Sequence, residues 1–244
     1  MKANYGIDAP TVVLYLFIAG AGCVVTAFVP GLPSIAQAIF IWIGFSWLLT
    51  DLIMISGSKV FKLRLRDRLL DSLQLSGNER ALDIGCGRGL MLIGLAKRLP
   101  NGKAVGIDLW NKSDQSGNTE QAALTNARKE KVEDRVEIET GDMRRMPFEH
   151  QSFDCVVSSW AIHNIQDAAG REAAVLEAVR VLKPGGRLAI VDIFNVKDYA
   201  ETLRILRMDG ITISKPNYLF LIPTRTVRAM KPIKATVDKN LTLS

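Results

Sequence analysis

Histidine and cysteine are scarce in this chain of 244 residues, which holds two of the first and three of the second. Cys23, Cys86 and Cys155 lie too far apart in sequence to give a metal-ligand spacing or a disulfide framework, so no metal is expected and a reducing compartment suits the chain. Cys86 sits inside a glycine-rich turn, where it reads as a small packing residue rather than a nucleophile. Charge is missing from two long stretches: residues 11–29 carry none, nor do residues 34–50, and the second run continues past Asp51 through Leu52, Ile53, Met54 and Ile55. As a helix, an uncharged stretch of 19 residues is long enough to cross a hydrocarbon core of about 30 Å.

The two stretches predict a membrane hairpin over residues 1–58, with helices at about 11–29 and 34–55 broken apart by Pro30-Gly31-Leu32-Pro33. A cleaved signal peptide fits poorly, because the amino terminus has one lysine and a second apolar segment would remain. A soluble hairpin of this length would need cover on all sides of both helices. Lys59, Lys62, Arg64, Arg66 and Arg68 follow at once. By the positive-inside rule they hold that end, and with it both termini and everything downstream, on the cytoplasmic side of a two-span membrane protein. Asp51, close to the basic end, reads as interfacial. Residues 59–78 predict an interfacial amphipathic helix and linker: Phe61, Leu65, Leu69 and Leu73 recur every four residues while Lys62, Arg66 and Arg68 point elsewhere.

The remainder turns on residues 79–89, Glu-Arg-Ala-Leu-Asp-Ile-Gly-Cys-Gly-Arg-Gly. Residues 81–84 read as a buried strand, and the turn after it holds Gly85, Gly87 and Gly89, where a missing Cβ lets a ligand lie against the backbone. A helix opens at Leu90. A dinucleotide fingerprint would need a third glycine where Leu90 stands. The pattern is instead an acid, Asp83, followed by three alternating glycines. Further strands are expected at residues 103–108, 135–140, 153–160 and 188–193, alternating with helices at 118–131 and 168–182; a helix at 197–208 and two short strands at 211–214 and 218–227 close the domain. That order implies a doubly wound, mostly parallel α/β sheet with a closing antiparallel hairpin. Its core begins only at Glu79, so residues 59–244 are expected to fold without the hairpin.

The acid and glycine turn, an acid ending the second strand (Asp108), Gly141-Asp142-Met143 after the third, and Val-Leu-Lys-Pro-Gly-Gly-Arg-Leu before the fifth occur in one order over about residues 79–230. Together they resemble class I S-adenosylmethionine (SAM) methyltransferases of the small-molecule type. The resemblance implies SAM as cofactor. Asp83, Gly85, Gly87 and Gly89 would form the turn that carries it, Asp108 would bind the ribose hydroxyls, Leu109 would lie on the adenine, Asp142 would bind the adenine amino group and the Met143 N–H a ring nitrogen. Ser159 and Trp160, at the end of the fourth strand, would face the sulfonium, and Trp110 would stack on the base or cover the site. His163 is the candidate base or substrate orienter. The polar loop 111–118 reads as a lid.

Soluble relatives of this type carry amino-terminal helices over the substrate, and here the membrane hairpin takes that length. The expected acceptor is therefore small and apolar or lipid-like, drawn from the membrane, with membrane lipid as the other partner. Two alternatives stand beside this reading: a SAM-binding membrane protein without turnover, and a methyltransferase of nucleic acid or protein. The net charge of +6 suggests the nucleic-acid case, but much of the basic excess lies beside the hairpin and in the tail at 231–244, where anionic lipid serves as well. The Asn/Asp-Pro-Pro-Tyr/Phe signature of amino-directed nucleic-acid enzymes is absent after the fourth strand, where Ser158-Ser159-Trp160-Ala161 stands, so no nucleic acid is expected.

Overall fold

The computed structural model describes residues 3–7, 9–111, 115–218 and 223–233. Seven strands form one sheet in the order β3-β2-β1-β4-β5-β7-β6. β1 (Arg80–Ile84), β2 (Lys103–Asp108), β3 (Val136–Thr140), β4 (Phe153–Ser159) and β5 (Leu182–Asp192) run parallel. β6 (Asp209–Ile213) and β7 (Arg225–Met230) close it, with β7 antiparallel to both β5 and β6. The central strands are apolar on both faces because helices cover both. On one face α6 (Ala168–Val181) and α7 (Val196–Ile205) pack over Leu82, Val156, Leu188 and Ile190; on the other, α3 (Lys62–Asp71) and α4 (Leu90–Arg98) cover Ala81, Val157 and Val191. The crossovers reverse between β1 and β4, so their carboxyl ends open on a crevice.

Three expectations shift within this frame. β5 begins at Leu182, since the Lys-Pro-Gly-Gly-Arg segment read as a turn continues the strand through an irregular pairing between Phe153 and Cys155. The apolar spacing of the helix expected at 168–182 turns Ala173, Leu176, Val179 and Val181 or Leu182 inward, whereas α6 buries Ala174, Val175, Ala178, Val179 and Val181 and leaves Leu176 exposed. The final strands start two residues earlier (β6) and seven later (β7) than expected. Residues 219–222, in the expected last strand, and most of the basic tail lie outside the described residues, as do residues 112–114 of the polar loop.

The amino-terminal region is a helical hairpin. α1 (Pro10–Thr26) and α2 (Ser34–Ser56) pack against each other, and glycine allows their close approach: a Cβ on Gly44 would lie 2.7 Å from Val24 Cγ2 and 2.8 Å from the Gly20 carbonyl oxygen. Large apolar side chains point outward from both helices, among them Tyr15, Phe17, Phe28, Trp42 and Phe45. No other part of the chain among the described residues covers them, so within those residues the hairpin is not a buried core element. Two spans are not supported: among the described residues one helix, the one containing α2, is long and apolar enough to cross a membrane by length and composition alone, and α1 has 17 residues, short of the about 20 that a span needs. α2 continues through a five-residue π-helical turn, Gly57–Phe61, into α3, giving one helix over residues 34–71.

α3 is not the interfacial helix that its spacing suggested. Leu69, Leu70 and Leu73 are buried against α4, and Lys62 and Arg66, expected to point away, are buried as well. Sequence periodicity shows which residues share a face but not what that face meets; here the neighbour is a protein surface that also accepts the cations. Residues 3–7 form a strap across the same surface. Asn126 holds Asn4 by two hydrogen bonds of 2.9 Å, and the Lys62 ammonium donates to the Tyr5 and Gly6 carbonyls at 3.0 and 2.9 Å. The folded domain therefore includes residues 3–7 and α3, not only the chain from Glu79 onward.

Candidate active site

One cavity of about 770 Å³ occupies the crevice. Its floor is the glycine turn. The Gly85 and Cys86 N–H groups both donate to the Ile107 carbonyl, Gly85, Gly87 and Gly89 all take positive φ, and a Cβ on Gly85 would collide with Ala161. Asp83 secures the turn to the helix behind it, its Oδ2 accepting from the Leu92 N–H at 2.8 Å. Burial pushes the Asp83 carboxyl up to about 8; the Leu92 N–H opposes that and the charge of Asp108 adds to it. Burial likewise raises the Cys86 thiol, with Asp83 and Asp108 adding to the effect.

Asp108 stands at the tip of β2. Its Oδ2 accepts from the Gly87 N–H at 2.8 Å, and its Oδ1 accepts from the Trp110 N–H at 2.7 Å and Asn118 Nδ2 at 3.3 Å. Leu109 is 57 % exposed on the cavity wall. Asp142 and Met143 line the wall beyond it, and the Arg144 guanidinium holds the Asp142 carboxyl below the usual carboxylate range.

Ser159, Trp160 and His163 form the opposite wall, on and just after β4. Trp160 has a φ of 53°, a rare conformation for a bulky side chain, and its N–H donates to the Val191 carbonyl. His163 lies in a short 3-10 turn, Ile162–Asn164. Its Nδ1 is 2.5 Å from Asp192 Oδ1, in an oblique charge contact. Asp192 is fully buried; it accepts from the His163 and Ile193 backbone N–H groups and from the Tyr199 hydroxyl at 3.2 Å. The Tyr199 phenol is driven upward by burial and by the charge of Asp192.

Most of the residues singled out by sequence meet in this cavity: Asp83, Gly85, Gly87, Asp108, Leu109, Asp142, Met143, Ser159, Trp160 and His163 all line it. Two do not. Gly89 is the left-handed residue at the start of α4, shaping the turn from behind. Trp110 turns to the sheet edge, where its indole N–H donates to Thr140 Oγ1 at 2.8 Å, so it neither stacks in the cavity nor covers it.

Several residues in or behind the lining carry signals that the sequence reading does not use. Asp192 carries a visible signal, an acid closing an apolar strand, the pattern that marks Asp108. The helix start leaves the cap open between Asn118 and Thr119; Thr119 caps α5 (Glu120–Lys129), and Asn118 is buried beside Asp108. Tyr5 and Arg66 carry no local signal at all. Tyr5 Oη, Asp83 Oδ1, Asn118 Oδ1 and His163 Nδ1, all on lining residues, are buried polar atoms without a hydrogen-bond partner among the described residues. Such atoms, beside a turn that leaves no room for a Cβ, suit a polar ligand pressed against the backbone.

Residues 82–190, somewhat under half of the chain, match the methyltransferase domain family. The chain is 37% identical over 129 residues to the 27-O-demethylrifamycin SV methyltransferase of Amycolatopsis mediterranei, covering 53% of this chain and 44% of that protein. It is 30% identical over 128 residues to the demethylmenaquinone methyltransferase of Lactobacillus johnsonii, covering 52% and 49%. It thus spans less than half the length of each of these relatives. In fold it is similar to a SAM-dependent methyltransferase from Aquifex aeolicus, with a TM-score of 0.55 and 20% identity over 72% of this chain and 92% of that one.

Proposed function

From residues 82–190, a class I SAM-dependent methyltransferase domain, we infer that this chain methylates a small apolar acceptor that reaches the site from a membrane holding the hairpin. The observation that carries the reading is the extent of the cavity. It runs from the glycine turn and His163 to Thr11, Met54 and Ser58 at the base of the hairpin, past Leu65 and Leu69. An acceptor dissolved in the bilayer would be concentrated at that end and would gain about 25 cal/mol for each Å² of apolar surface buried.

SAM, when bound, supplies a methyl group on a positive sulfur that an acceptor nucleophile displaces. Asp108 would hold the ribose hydroxyls, Asp142 and the Met143 N–H the adenine edge, and Leu109 its face, with Gly85 and Gly87 leaving the backbone bare beneath. His163 takes the proton of the acceptor: with Nδ1 held against Asp192, Nε2 is the nitrogen left to receive it, and Asp192 steadies the imidazolium. The strap and α3 cover the far wall and keep water out.

The exposed aromatic and aliphatic faces of α1 and α2 support seating in a bilayer, and the basic run from Lys59 supports a cytoplasmic catalytic domain with both termini on that side. Small-molecule acceptors in the names of the two relatives favour the acceptor class. Transfer of tritium from labelled SAM should be tested on full-length protein in liposomes with a series of acceptors of rising hydrophobicity. The expected result is a rate that climbs with hydrophobicity. Transfer only to water-soluble acceptors would overturn the membrane route, and transfer to none would overturn the activity.

A further inference from the structure

Tyr5 and Arg66 come from opposite ends of the hairpin and line the same cavity as the glycine turn. Each is 7 % exposed. The Tyr5 hydroxyl proton has no acceptor among the described residues, although a buried hydroxyl ordinarily finds one. The Arg66 guanidinium has five N–H donors and spends two of its groups, Nε and Nη2, on Asp67 at 2.9 and 3.1 Å. It stands close enough to Tyr5 to work against the burial and the Glu130 charge that together push the phenol up to about 12. Gly94 admits the arginine: a Cβ there would lie 2.6 Å from Arg66 Cδ. The other cations of the lining are engaged, Arg88 with the carbonyls of Asn4, Ser116 and Gly117 and Arg144 with Asp142.

A buried hydroxyl without an acceptor and a buried guanidinium with N–H groups to spare form a seat for a carboxylate. We propose that Tyr5 and Arg66 bind the carboxylate of the cofactor's amino-acid arm, so that the strap and the helix continuing from the hairpin complete the cofactor site. The inference rests on the SAM-dependent reading. It makes cofactor affinity depend on the hairpin ends being docked on the domain.

Calorimetry on full-length protein in detergent micelles tests it with two ligands. S-adenosylhomocysteine carries the amino-acid arm; 5′-methylthioadenosine shares the adenosine and the sulfur but lacks the arm. Tyr5→Phe and Arg66→Gln should each weaken S-adenosylhomocysteine by about tenfold or more, the usual cost of a hydrogen bond to a charged group, and leave 5′-methylthioadenosine within about twofold. Ligand-free Tyr5→Phe should melt at the same temperature as the parent or higher, since the hydroxyl proton it removes has no acceptor among the described residues. This variant also carries the test if Arg66→Gln does not fold. Unchanged S-adenosylhomocysteine affinity in folded Tyr5→Phe, or an equal loss for both ligands, would overturn the carboxylate seat alone. A parent protein that binds neither ligand would overturn the cofactor reading and this inference together.

Discussion

His163 and Asp192 show what a pair of residues does that neither does alone. A histidine in a loop is an ordinary surface feature, but on the proposed reading the buried carboxylate 2.5 Å from its Nδ1 leaves Nε2 as the nitrogen to serve as the base. His163→Ala should therefore lower kcat by roughly 10²–10⁴ while S-adenosylhomocysteine binding, read by calorimetry, stays near the parent value. Asp108 works differently, through the cofactor. Asp108→Ala should weaken SAM by roughly 1.5–3 kcal/mol, and unchanged affinity in the folded variant would remove the ribose assignment. Asp83 gives a pH dependence. Its folded carboxyl titrates at about 8, above its ordinary value of 3.8, so the folded protein holds the proton more tightly than the unfolded chain. The stabilisation is complete below pH 4 and is lost as pH rises through 8, at no more than about 1.4 kcal/mol per pH unit. Thermal melts of the ligand-free protein should show Asp83→Asn falling less steeply than the parent over that window.

At the scale of elements, the hairpin and its continuation carry the information that periodicity could not. α1 and α2 meet through glycine, and two glycines of that region separate cleanly: Gly44 touches Val24 and Gly20, whereas a Cβ on Gly22 would meet nothing within 4 Å. Gly44→Leu should destabilise the protein in micelles by about 1–3 kcal/mol, the range for overpacking, and Gly22→Leu should not. Equal melting temperatures for the two variants would mean that the hairpin contact contributes little. The π-helical turn at Gly57–Phe61 sits where the exposed apolar helix becomes a buried amphipathic one, and it brings Ser58 to the cavity.

The whole molecule joins an apolar hairpin to an α/β domain through a shared cavity, and that decides how it can be divided. Removal of residues 1–58 would take the strap and its hydrogen bonds to Asn126, Arg88 and Gln115 along with the hairpin. That deletion should weaken S-adenosylhomocysteine by about tenfold or more, by loss of the Tyr5 contact. Excision of residues 11–56 alone, with a short polar linker in their place, should leave the affinity within about threefold of the parent and abolish flotation with liposomes. Flotation that persists after excision would locate membrane binding elsewhere.

The sequence by itself determined the elements whose signals are local. A buried strand, an acid and three spaced glycines specify β1 and its turn wherever they occur, because positive φ and close backbone approach are properties of single residues. Asp108, Asp142 and the alternation of strands with helices were legible for the same reason, and so was the apolar character of α1 and α2. The tertiary structure alone decided what each face would meet. It turned Lys62 and Arg66 inward, aimed Trp110 at Thr140 rather than the cavity, set Asp192 behind His163 across 29 residues of chain, and brought Tyr5 into the same cavity as the glycine turn. Those outcomes depend on long-range packing, in which a side chain is placed by whichever surface buries its apolar part and satisfies its polar end, and no window of neighbouring residues holds that information.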